Sequence, residues 1–327
     1  MLRLELSRVS WPMRTPFRIS RITETQTDCV HVVLTDAEGH RGRGEAIGVD
    51  YAGETQATLI AQLEAVRDRI EAGVSRAQAQ VLLPSGGARN ALDCALWDLQ
   101  AKQSGVPAWQ AAGLDSCRPV ETAYTCGMMD EAALRQMARD HADHGWIKVK
   151  TDRDRGLDPV RIVHEELPQA RLIVDPNEAW GEAELRRFAG SFQALNVALL
   201  EQPVAAGEDD ILRGLNLPVP VAADEAFDDR ANLAALAGKY QVLNIKLDKT
   251  GGLTEALACA RSGLAQGYRL MIGCMAGSSL SMAPAVLLAQ LCDFVDLDGP
   301  LLQAGDVANP IGYLEGRIGA PTPALWG

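Results

Sequence analysis

The second part of the chain alternates short apolar runs with longer amphipathic segments in a regular order. From about residue 119, runs of strand length recur, and each is followed by a stretch whose apolar residues fall at helical spacing. Eight strands are predicted, with the sequences VETAYTC, WIKVKT, RLIVDPN, VALLEQP, VPVAADE, VLNIKLD, YRLMIGCM and FVDLD. Such alternation indicates an α/β fold with a parallel sheet, and eight units predict closure into a (β/α)8-type TIM barrel. An open doubly wound sheet is the alternative.

The first part of the chain lacks this repeat and is predicted to form an α+β domain, residues 1–115. LRLELSRVS and CVHVVLTDAEGHRGRGEA are typical of antiparallel strands with a turn at AEGH. Two helices are predicted near 55–72 and 87–103. The polar segments TPFRISRITETQ and GVDYAGET are predicted as long loops, which in compact domains commonly carry function.

Composition argues against several classes of partner. The chain has 327 residues, of which 47% are hydrophobic and 23% charged, as in ordinary globular proteins. A net charge of −12 disfavours nucleic acid and anionic membranes as partners, since both require a positive surface. No apolar run has the length of a membrane span or a signal peptide. The seven scattered cysteines, with no C-x-x-C pair, are typical of free thiols in the cytoplasm.

Charged residues end most of the predicted strands, each about one strand-plus-helix unit after the last. They are Lys150, Asp175, Glu201, Asp224, Lys246 and Asp296. Catalytic groups of TIM barrels lie at the carboxyl ends of the strands, so these side chains are predicted to share one active site. Side chains two positions apart on a strand face the same way. Four neighbours are therefore expected beside them: Lys148, Asn177, Asp248 and Asp298.

Three of these carboxylates predict a metal site. Asp175, Glu201 and Asp224 end consecutive strands, so their oxygens are expected to converge. Unpaired acids at one point repel each other, and a hard divalent cation removes that repulsion. Three oxygen ligands, with positions left for water and substrate, suit Mg²⁺, and Mn²⁺ is the alternative.

Two lysines predict proton transfer at a carbon. Lys150 and Lys246 end the second and sixth strands, which lie on opposite sides of a closed barrel. Mg²⁺ would hold a substrate carboxylate and stabilise the enediolate formed when the α-proton leaves. One lysine would remove the proton and the other would return it from the opposite face. A lysine base needs its pKa lowered from about 10.4 to about 7 or 8, and Lys148 and the cation are expected to lower it.

These motifs resemble those of the enolase superfamily, in particular the dipeptide epimerases of its muconate-lactonising subgroup. The resemblance covers nearly the whole chain and is carried by ARNALDCALWDL, KVK, DPNEAW, EQP, ADE, NIKLDKTGG, GCM and DLDGP. It implies a modified (β/α)7β barrel, residues 116–327, under an N-terminal capping domain to which the C-terminal tail returns. It also implies a Mg²⁺-dependent epimerase acting on L-Ala-L/D-Glu or a related dipeptide, in the cytoplasm and in peptidoglycan recycling.

The resemblance also assigns contacts with the dipeptide. A D-x-D pair at the end of the eighth strand, Asp296 and Asp298, would hold the ammonium of the first residue. Epimerases that prefer a C-terminal glutamate carry an arginine in the first capping loop, where this chain has Arg18 and Arg21 followed by Glu24. We expect Arg21 to meet the second residue, and Glu24 to favour a neutral or basic one.

Further pocket residues are expected around these groups. Met275 is expected to contact the substrate. Asn177, Glu225 and Asp248 are expected to lie behind the catalytic and metal-binding residues and to hold them in place. Lys148 is grouped with the catalytic lysines.

Other motifs and alternative functions are weighed against a dipeptide epimerase. His141 and His144 lie three apart on a predicted helix without a further ligand in register, so a solvated face is expected. GRGE and KTGG match neither nucleotide-binding pattern. The alternatives are a cycloisomerase, an o-succinylbenzoate synthase, an N-acylamino acid racemase, a Schiff-base lyase with a nucleophilic lysine, or a non-catalytic scaffold. The sequence leaves open whether a homo-oligomer forms and which lysine serves which epimer.

Overall fold

A computed structural model describes all 327 residues and begins with an antiparallel sheet covered by helices. The sheet has three strands in the order β1-β2-β3. Their bounds are Arg3–Arg18 (β1), Thr23–Thr35 (β2) and Arg41–Ala46 (β3). The helices that follow are Gln56–Ala65 (α1), Arg67–Glu71 (α2), Arg76–Leu82 (α3), Gly87–Ser104 (α4) and Ala108–Ala111 (α5). We refer to residues 1–115 as the cap.

Eight parallel strands follow, arranged side by side in chain order from β5 to β12. After the short strand Val120–Glu121 (β4), they are Tyr124–Cys126 (β5), Trp146–Lys150 (β6), Arg171–Asp175 (β7), Val197–Glu201 (β8), Val221–Ala223 (β9), Val242–Ile245 (β10), Arg269–Ile272 (β11) and Phe294–Val295 (β12). The N–H of Ala123 donates to the carbonyl of Val295 at 2.9 Å, which joins the first strand to the last. The predicted TIM-barrel class is confirmed.

Helices connect the barrel strands, as the alternating pattern predicted. They are Glu131–Asp140 (α6), Asp158–Glu166 (α7), Glu182–Phe188 (α8), Leu233–Leu236 (α9), Leu247–Thr250 (α10), Leu253–Ala265 (α11), Ser279–Ala289 (α12) and Gly299–Leu302 (α13). Two last strands, Tyr313–Leu314 (β13) and Arg317–Ile318 (β14), pair with β4 in a separate small sheet. None of the helices is both long and apolar enough to span a bilayer.

The barrel interior is apolar at its lower, amino-terminal end. A cluster of seven buried side chains fills it: Ala123, Ile173, Leu199, Ala222, Val242, Met271 and Phe294. Several of them precede a charged strand-end residue by two positions, and side chains two apart on a strand share a face. The charged residues therefore form the next layer up, at the carboxyl end of the barrel.

Helix α4 lies between the cap and the barrel and is buried on nearly all sides. One face, which includes Leu92 and Leu99, belongs to the core of the cap, while Cys94 and Trp97 belong to the barrel core. A Cβ atom on Gly44 would lie 2.1 Å from the carbonyl oxygen of Ala91. The glycines of GRGE thus let β3 pack directly against this helix, which explains the motif without a nucleotide.

Two local predictions differ from the structure. The segment TPFRISRITETQ, predicted as a loop, is the outer end of the β1–β2 hairpin, in which Phe17 pairs with Glu24 and Arg18 with Thr23. Backbone pairing with the partner strand extends these strands despite the polar sequence. We call residues 15–26 the hairpin tip. The helix predicted at 55–72 is divided into α1 and α2 at Val66, whose backbone leaves the helical region.

The C-terminal tail contacts the cap. Trp326 is buried, and its Nε1 donates to the carbonyl of Cys94 at 3.0 Å. The N–H of Gly327 donates to Oδ1 of Asp98 at 2.7 Å. Both partners lie on α4, so the tail and β3 pack against the same helix.

Candidate active site

A cavity of about 130 Å³ lies between the hairpin tip and the carboxyl end of the barrel. The cap contributes Arg21, Glu24, Asp50 and Tyr51 among other residues. Eight barrel residues complete the lining: Lys150, Asn177, Asp224, Glu225, Lys246, Cys274, Met275 and Ala276. The predicted residues Lys148, Asp175, Glu201, Asp296 and Asp298 are buried next to it and do not line it.

Asp175, Glu201 and Asp224 converge as the strand order requires. All three carboxylates are buried, and Nζ of Lys148 lies 3.1 Å from Oδ2 of Asp175 and 2.8 Å from Oε2 of Glu201. Burial, together with the charges of Asp175 and Asp224, raises the pKa of Glu201 to about 8. Three buried carboxylates crowded at one point, with a raised pKa at Glu201, are a donor set that fits Mg²⁺.

The two predicted bases line the cavity from different walls. Nζ of Lys150 lies 2.5 Å from Oδ2 of Asp175 and 3.0 Å from Oδ1 of Asn177. Nζ of Lys246 lies 2.8 Å from Oδ2 of Asp224. Lys150 ends the second barrel strand and Lys246 follows the sixth, so the barrel places them across from one another.

The predicted lowering of the lysine pKa does not arise from the protein's own groups at Lys246. Burial lowers the pKa of Lys246, and Lys148 lowers it further, but the carboxylates of Asp224, Glu201 and Glu225 together outweigh both and leave it raised. Asp296, Glu201 and Asp175 raise the pKa of Lys148 against its burial in the same way. A base at this position therefore requires a cation that engages these carboxylates.

The hairpin tip is joined to the barrel through Arg21. Its Nη1 donates to Glu225 at 2.9 Å and to Glu178 at 3.1 Å. Oε1 of Glu225 also lies 3.4 Å from Nδ2 of Asn177. The guanidinium of Arg21 is thus already paired with two acids, whereas Glu24 lines the same cavity without forming an ion pair, although the charge of Lys150 is near enough to oppose the rise in its pKa. Burial and the nearby Asp50 raise the pKa of Glu24.

Asp296 and Asp298 meet at Thr125, on the first barrel strand. Oδ1 of Asp296 accepts from the Thr125 hydroxyl at 3.2 Å, and Oδ2 of Asp298 accepts from the Thr125 N–H at 2.6 Å. The other oxygen of Asp296 lies 2.9 Å from Nζ of Lys148. Burial and the charge of Asp296 raise the pKa of Asp298 to about 7.

Asp248 lies outside this cavity, contrary to the strand-pair argument. Strand β10 ends at Ile245, and Asp248 is in helix α10, where the two-residue alternation no longer applies. Its Oδ1 accepts hydrogen bonds from the N–H of Ile47 and from Nδ2 of Asn90, both at 3.1 Å. Asp248 thus connects the barrel to the cap.

Two buried polar residues of this region were not predicted. Nζ of Lys249 lies 2.6 Å from Oδ1 of Asp224, and Oε1 of Glu45 accepts from the N–H of Ser278 at 2.7 Å. The sequence signal for Lys249 is its position three residues after Lys246, in one helical turn. Gly251 follows with a φ of 76°, in the left-handed region, which explains the glycines of KTGG as a helix end against the cap.

Two family models match the chain in succession. Residues 1–113 match the mandelate racemase / muconate lactonizing enzyme, N-terminal domain, and residues 129–322 match the enolase C-terminal domain-like family. The L-Ala-D/L-Glu epimerase of Escherichia coli K12 is 40% identical over 311 residues, covering 94% of this chain and 97% of that protein. An N-acetyl-D-glutamate racemase of Pseudoalteromonas is 42% identical over 245 residues, covering 75% and 78%.

Solved structures agree over the whole fold. An enolase family member from Agrobacterium tumefaciens, solved with sodium and L-Ala-L-Glu, superposes with a TM-score of 0.97 at 38% identity, covering 100% of both chains. A dipeptide epimerase from Methylococcus capsulatus, in complex with Mg and L-Arg-D-Lys, has a TM-score of 0.91 at 30% identity, covering 99% of this chain and 98% of that one.

Proposed function

Because the chain belongs to the mandelate racemase and muconate lactonizing enzyme family and is an isomerase that uses Mg²⁺, we propose that it is a dipeptide epimerase. It inverts the α-carbon of the second residue of a dipeptide by a two-lysine 1,1-proton transfer. The observation that carries the proposal is the position of Lys150 and Lys246 on opposite walls of one cavity, beside three buried carboxylates. The epimerase relatives described above support the epimerisation of a dipeptide as the reaction.

Proton movement is assigned to the two Nζ atoms. A neutral lysine takes the α-proton, so the C–H bond breaks and an N–H bond forms. The ammonium of the other lysine then gives a proton to the same carbon from the opposite side, and the stereocentre is inverted. Asn177 accepts from Lys150 at 3.0 Å and holds its Nζ in place.

Asp175, Glu201 and Asp224 are the residues that would hold Mg²⁺. The cation, when bound, supplies positive charge to a substrate carboxylate and makes its α-proton more acidic. Carboxylates that bind the cation would hold less tightly to the lysines that they otherwise keep protonated.

The two ends of the dipeptide are assigned to different parts of the protein. Asp296 and Asp298, buried next to the cavity beside Lys148 and Thr125, would attract the ammonium of the first residue. The second side chain would extend toward Glu24 of the hairpin tip and Asp50 of the following cap loop, where Arg21 is neutralised by Glu178 and Glu225. These charges favour a neutral or basic second residue over glutamate. Peptidoglycan recycling would apply if L-Ala-L/D-Glu proves to be the preferred substrate.

Solvent deuterium uptake tests the reaction. Each epimer of a dipeptide is incubated in D₂O with the wild-type enzyme, Lys150→Ala and Lys246→Ala. We expect each variant to lose exchange with one epimer, and the two losses to be complementary. Exchange of both epimers at the wild-type rate by both variants would sink the two-base mechanism.

A library of dipeptides, screened by the same exchange, tests the specificity. The expected result is faster exchange for neutral or basic second residues, and a strong preference for Ala-Glu would contradict the role given to Glu24. N-acylamino acid racemisation is the second candidate, because the Pseudoalteromonas relative is named for an N-acetylated substrate. Exchange of N-acetylated amino acids, but not of dipeptides with a free amino group, would favour it.

We also propose a cellular location and a domain boundary for the protein. All seven cysteines are free thiols, which supports work in the cytoplasm. The regions matched by the two family models support a boundary between cap and barrel near residue 115.

A further inference from the structure

A second cluster of ligand-type side chains lies at the amino-terminal end of the barrel, opposite the cavity. It consists of His141, Asp143 and His144, and one donor atom from each lies within 4.8 Å of the others. Helix α6 ends at Asp140, so the cluster occupies the turn before β6 and not a helix face. The expected solvated face is wrong for His144, which is only 8% exposed.

His144 has one ring nitrogen committed and the other unused. Its Nδ1 lies 2.9 Å from Oδ1 of Asp143, an arrangement in which the ring N–H donates to the carboxylate. Nε2 is then a lone-pair acceptor, and it is buried without a hydrogen-bond partner. Buried polar atoms normally find a partner. A carboxylate that fixes the ring in this way is the usual support of a metal-binding histidine.

His141 is held beside it as a second imidazole. Its ring stacks on Tyr124 with centroids 3.4 Å apart, and its centroid lies 5.3 Å from that of His144.

We propose that His141 and His144 ligate one transition-metal cation, with Zn²⁺ as the preferred ion, and that Asp143 holds the His144 ring in the orientation that presents Nε2. Imidazole suits Zn²⁺, Ni²⁺ or Cu²⁺, whereas Mg²⁺ prefers oxygen ligands. The side chain of Asp143 is 54% exposed, so solvent reaches the cluster, and water would complete the coordination of the ion.

Such an ion would join the end of α6 to the start of β6, far from the carboxylates that hold Mg²⁺. It would therefore stabilise the lower end of the barrel without competing for the catalytic site. The proposal does not depend on the substrate or on the reaction.

The test is a titration with Zn²⁺ in saturating Mg²⁺, followed by calorimetry, with the visible spectrum of bound Co²⁺ as a second signal. We expect one site in the wild-type protein, and a loss of affinity of about tenfold or more in His141→Gln and in His144→Gln. His40→Gln is the matched control, because His40 makes the same contact with an aspartate, 2.9 Å from Asp36, without a second histidine.

Two results would overturn the proposal. One is that the wild-type protein binds no Zn²⁺ once Mg²⁺ is saturating, and the other is that both glutamine variants bind Zn²⁺ as tightly as the wild type does. If His144→Gln fails to fold, Asp143→Asn replaces it, because Asp143 is exposed. Deuterium exchange by the Mg²⁺-loaded variants should match the wild-type rate, which separates this site from the catalytic one.

Discussion

Nζ of Lys249 lies 2.6 Å from Oδ1 of Asp224, while Nζ of Lys246 lies 2.8 Å from the other oxygen of the same carboxylate. Lys249 also donates to the backbone carbonyl of Asp224 at 2.5 Å. Its side chain is 1% exposed, so neither charge of the pair reaches solvent. Lys249 is therefore a positioning residue that fixes the orientation of Asp224 and leaves Lys246 to face the cavity.

Lys249→Met is expected to destabilise the protein by about 3 kcal/mol, because it removes one partner of a buried ion pair. The free energy of unfolding, measured by denaturant titration in the presence of EDTA, checks this without involving activity. Lys239→Met is the control, because Lys239 also pairs with an aspartate, Asp209, at 2.7 Å. Asp209 still accepts a hydrogen bond from the hydroxyl of Tyr240 at 2.9 Å after the lysine is lost, so a smaller loss of stability is expected. Equal stability of Lys249→Met and the wild type would contradict the positioning role.

Glu24→Arg is expected to shift the preference toward a glutamate at the second position of the dipeptide. The new charge would face the cavity, where Arg21 is already occupied by two acids. The ratio of kcat/KM for Ala-Glu to that for Ala-Lys should rise about tenfold or more, which corresponds to about 1.4 kcal/mol. Arg18→Met, a change at an exposed residue outside the cavity lining, should leave the ratio unchanged.

Asp298→Asn is expected to weaken the use of dipeptides with a free amino group. Loss of a charged partner for the ammonium should raise KM about tenfold or more, with a smaller change in kcat. The N-acetylated form of the same dipeptide provides the control, because it has no ammonium to lose. A similar increase in KM for both substrates would show that Asp298 has only a structural role. That role would be to accept the hydrogen bond from the Thr125 N–H at 2.6 Å.

Asp93 predicts a pH dependence of stability at the contact between α4 and the barrel. Its oxygens accept from the N–H and hydroxyl of Thr254 at 2.8 and 2.6 Å, yet burial raises its pKa from 3.8 to about 6. In the unfolded chain the carboxyl loses its proton near pH 4 and in the folded protein near 6. The contribution of Asp93 to the free energy of unfolding therefore falls as the pH rises through this window, by on the order of 3 kcal/mol, and is constant above it.

Asp93→Asn should make this slope shallower, although the raised pKa values of Asp248, Asp298 and Glu201 leave part of it in place. Denaturant titrations between about pH 4 and about pH 7 measure the effect. Asp115→Asn, at an exposed site, should retain the wild-type slope. If the free energy of unfolding of the wild type rose with pH over this range, the role given to Asp93 would be wrong.

Removal of Mg²⁺ by EDTA is expected to abolish deuterium exchange and to lower the melting temperature. Three buried carboxylates lose the cation that compensates their charges, and a ligand that binds only the folded state stabilises it by mass action. Addition of Mg²⁺ or Mn²⁺ should restore both properties. Glu201→Gln should no longer respond to Mg²⁺ in the melting experiment, whereas His40→Gln should respond as the wild type does.

The barrel and its charged strand ends were predictable because strand alternation and strand order are both local signals. Lys150, Asp175 and Glu201 each lie where a run of buried residues ends, and a parallel barrel brings such ends together. The same reasoning failed at Asp248, because the chain turns helical at Leu247 and the alternation of a strand stops. Nothing in the periodicity of NIKLD marks that change.

Contacts between distant segments were not predictable in this way. Glu45 accepts from Ser278, which is 233 residues later in the chain, and no local pattern connects them. The strands of the hairpin tip were predicted as a loop because their pairing depends on backbone hydrogen bonds, and the polar side chains give no signal for it. His144 was placed on a helix by its spacing, but the helix ends four residues earlier, at Asp140.

Helix α4 has its leucines in one core and Cys94 and Trp97 in another, so the two cores share a structural element. The cap cannot swing away on a hinge without exposing one face of this helix to water. Opening for substrate is therefore expected at the hairpin tip and at the cap loop with Asp50 and Tyr51, and the amide protons of α4 should exchange with solvent only when the whole protein unfolds. Transplanting the cap of a relative would require a helix that fits both sides at once, whereas the hairpin tip can be exchanged by itself.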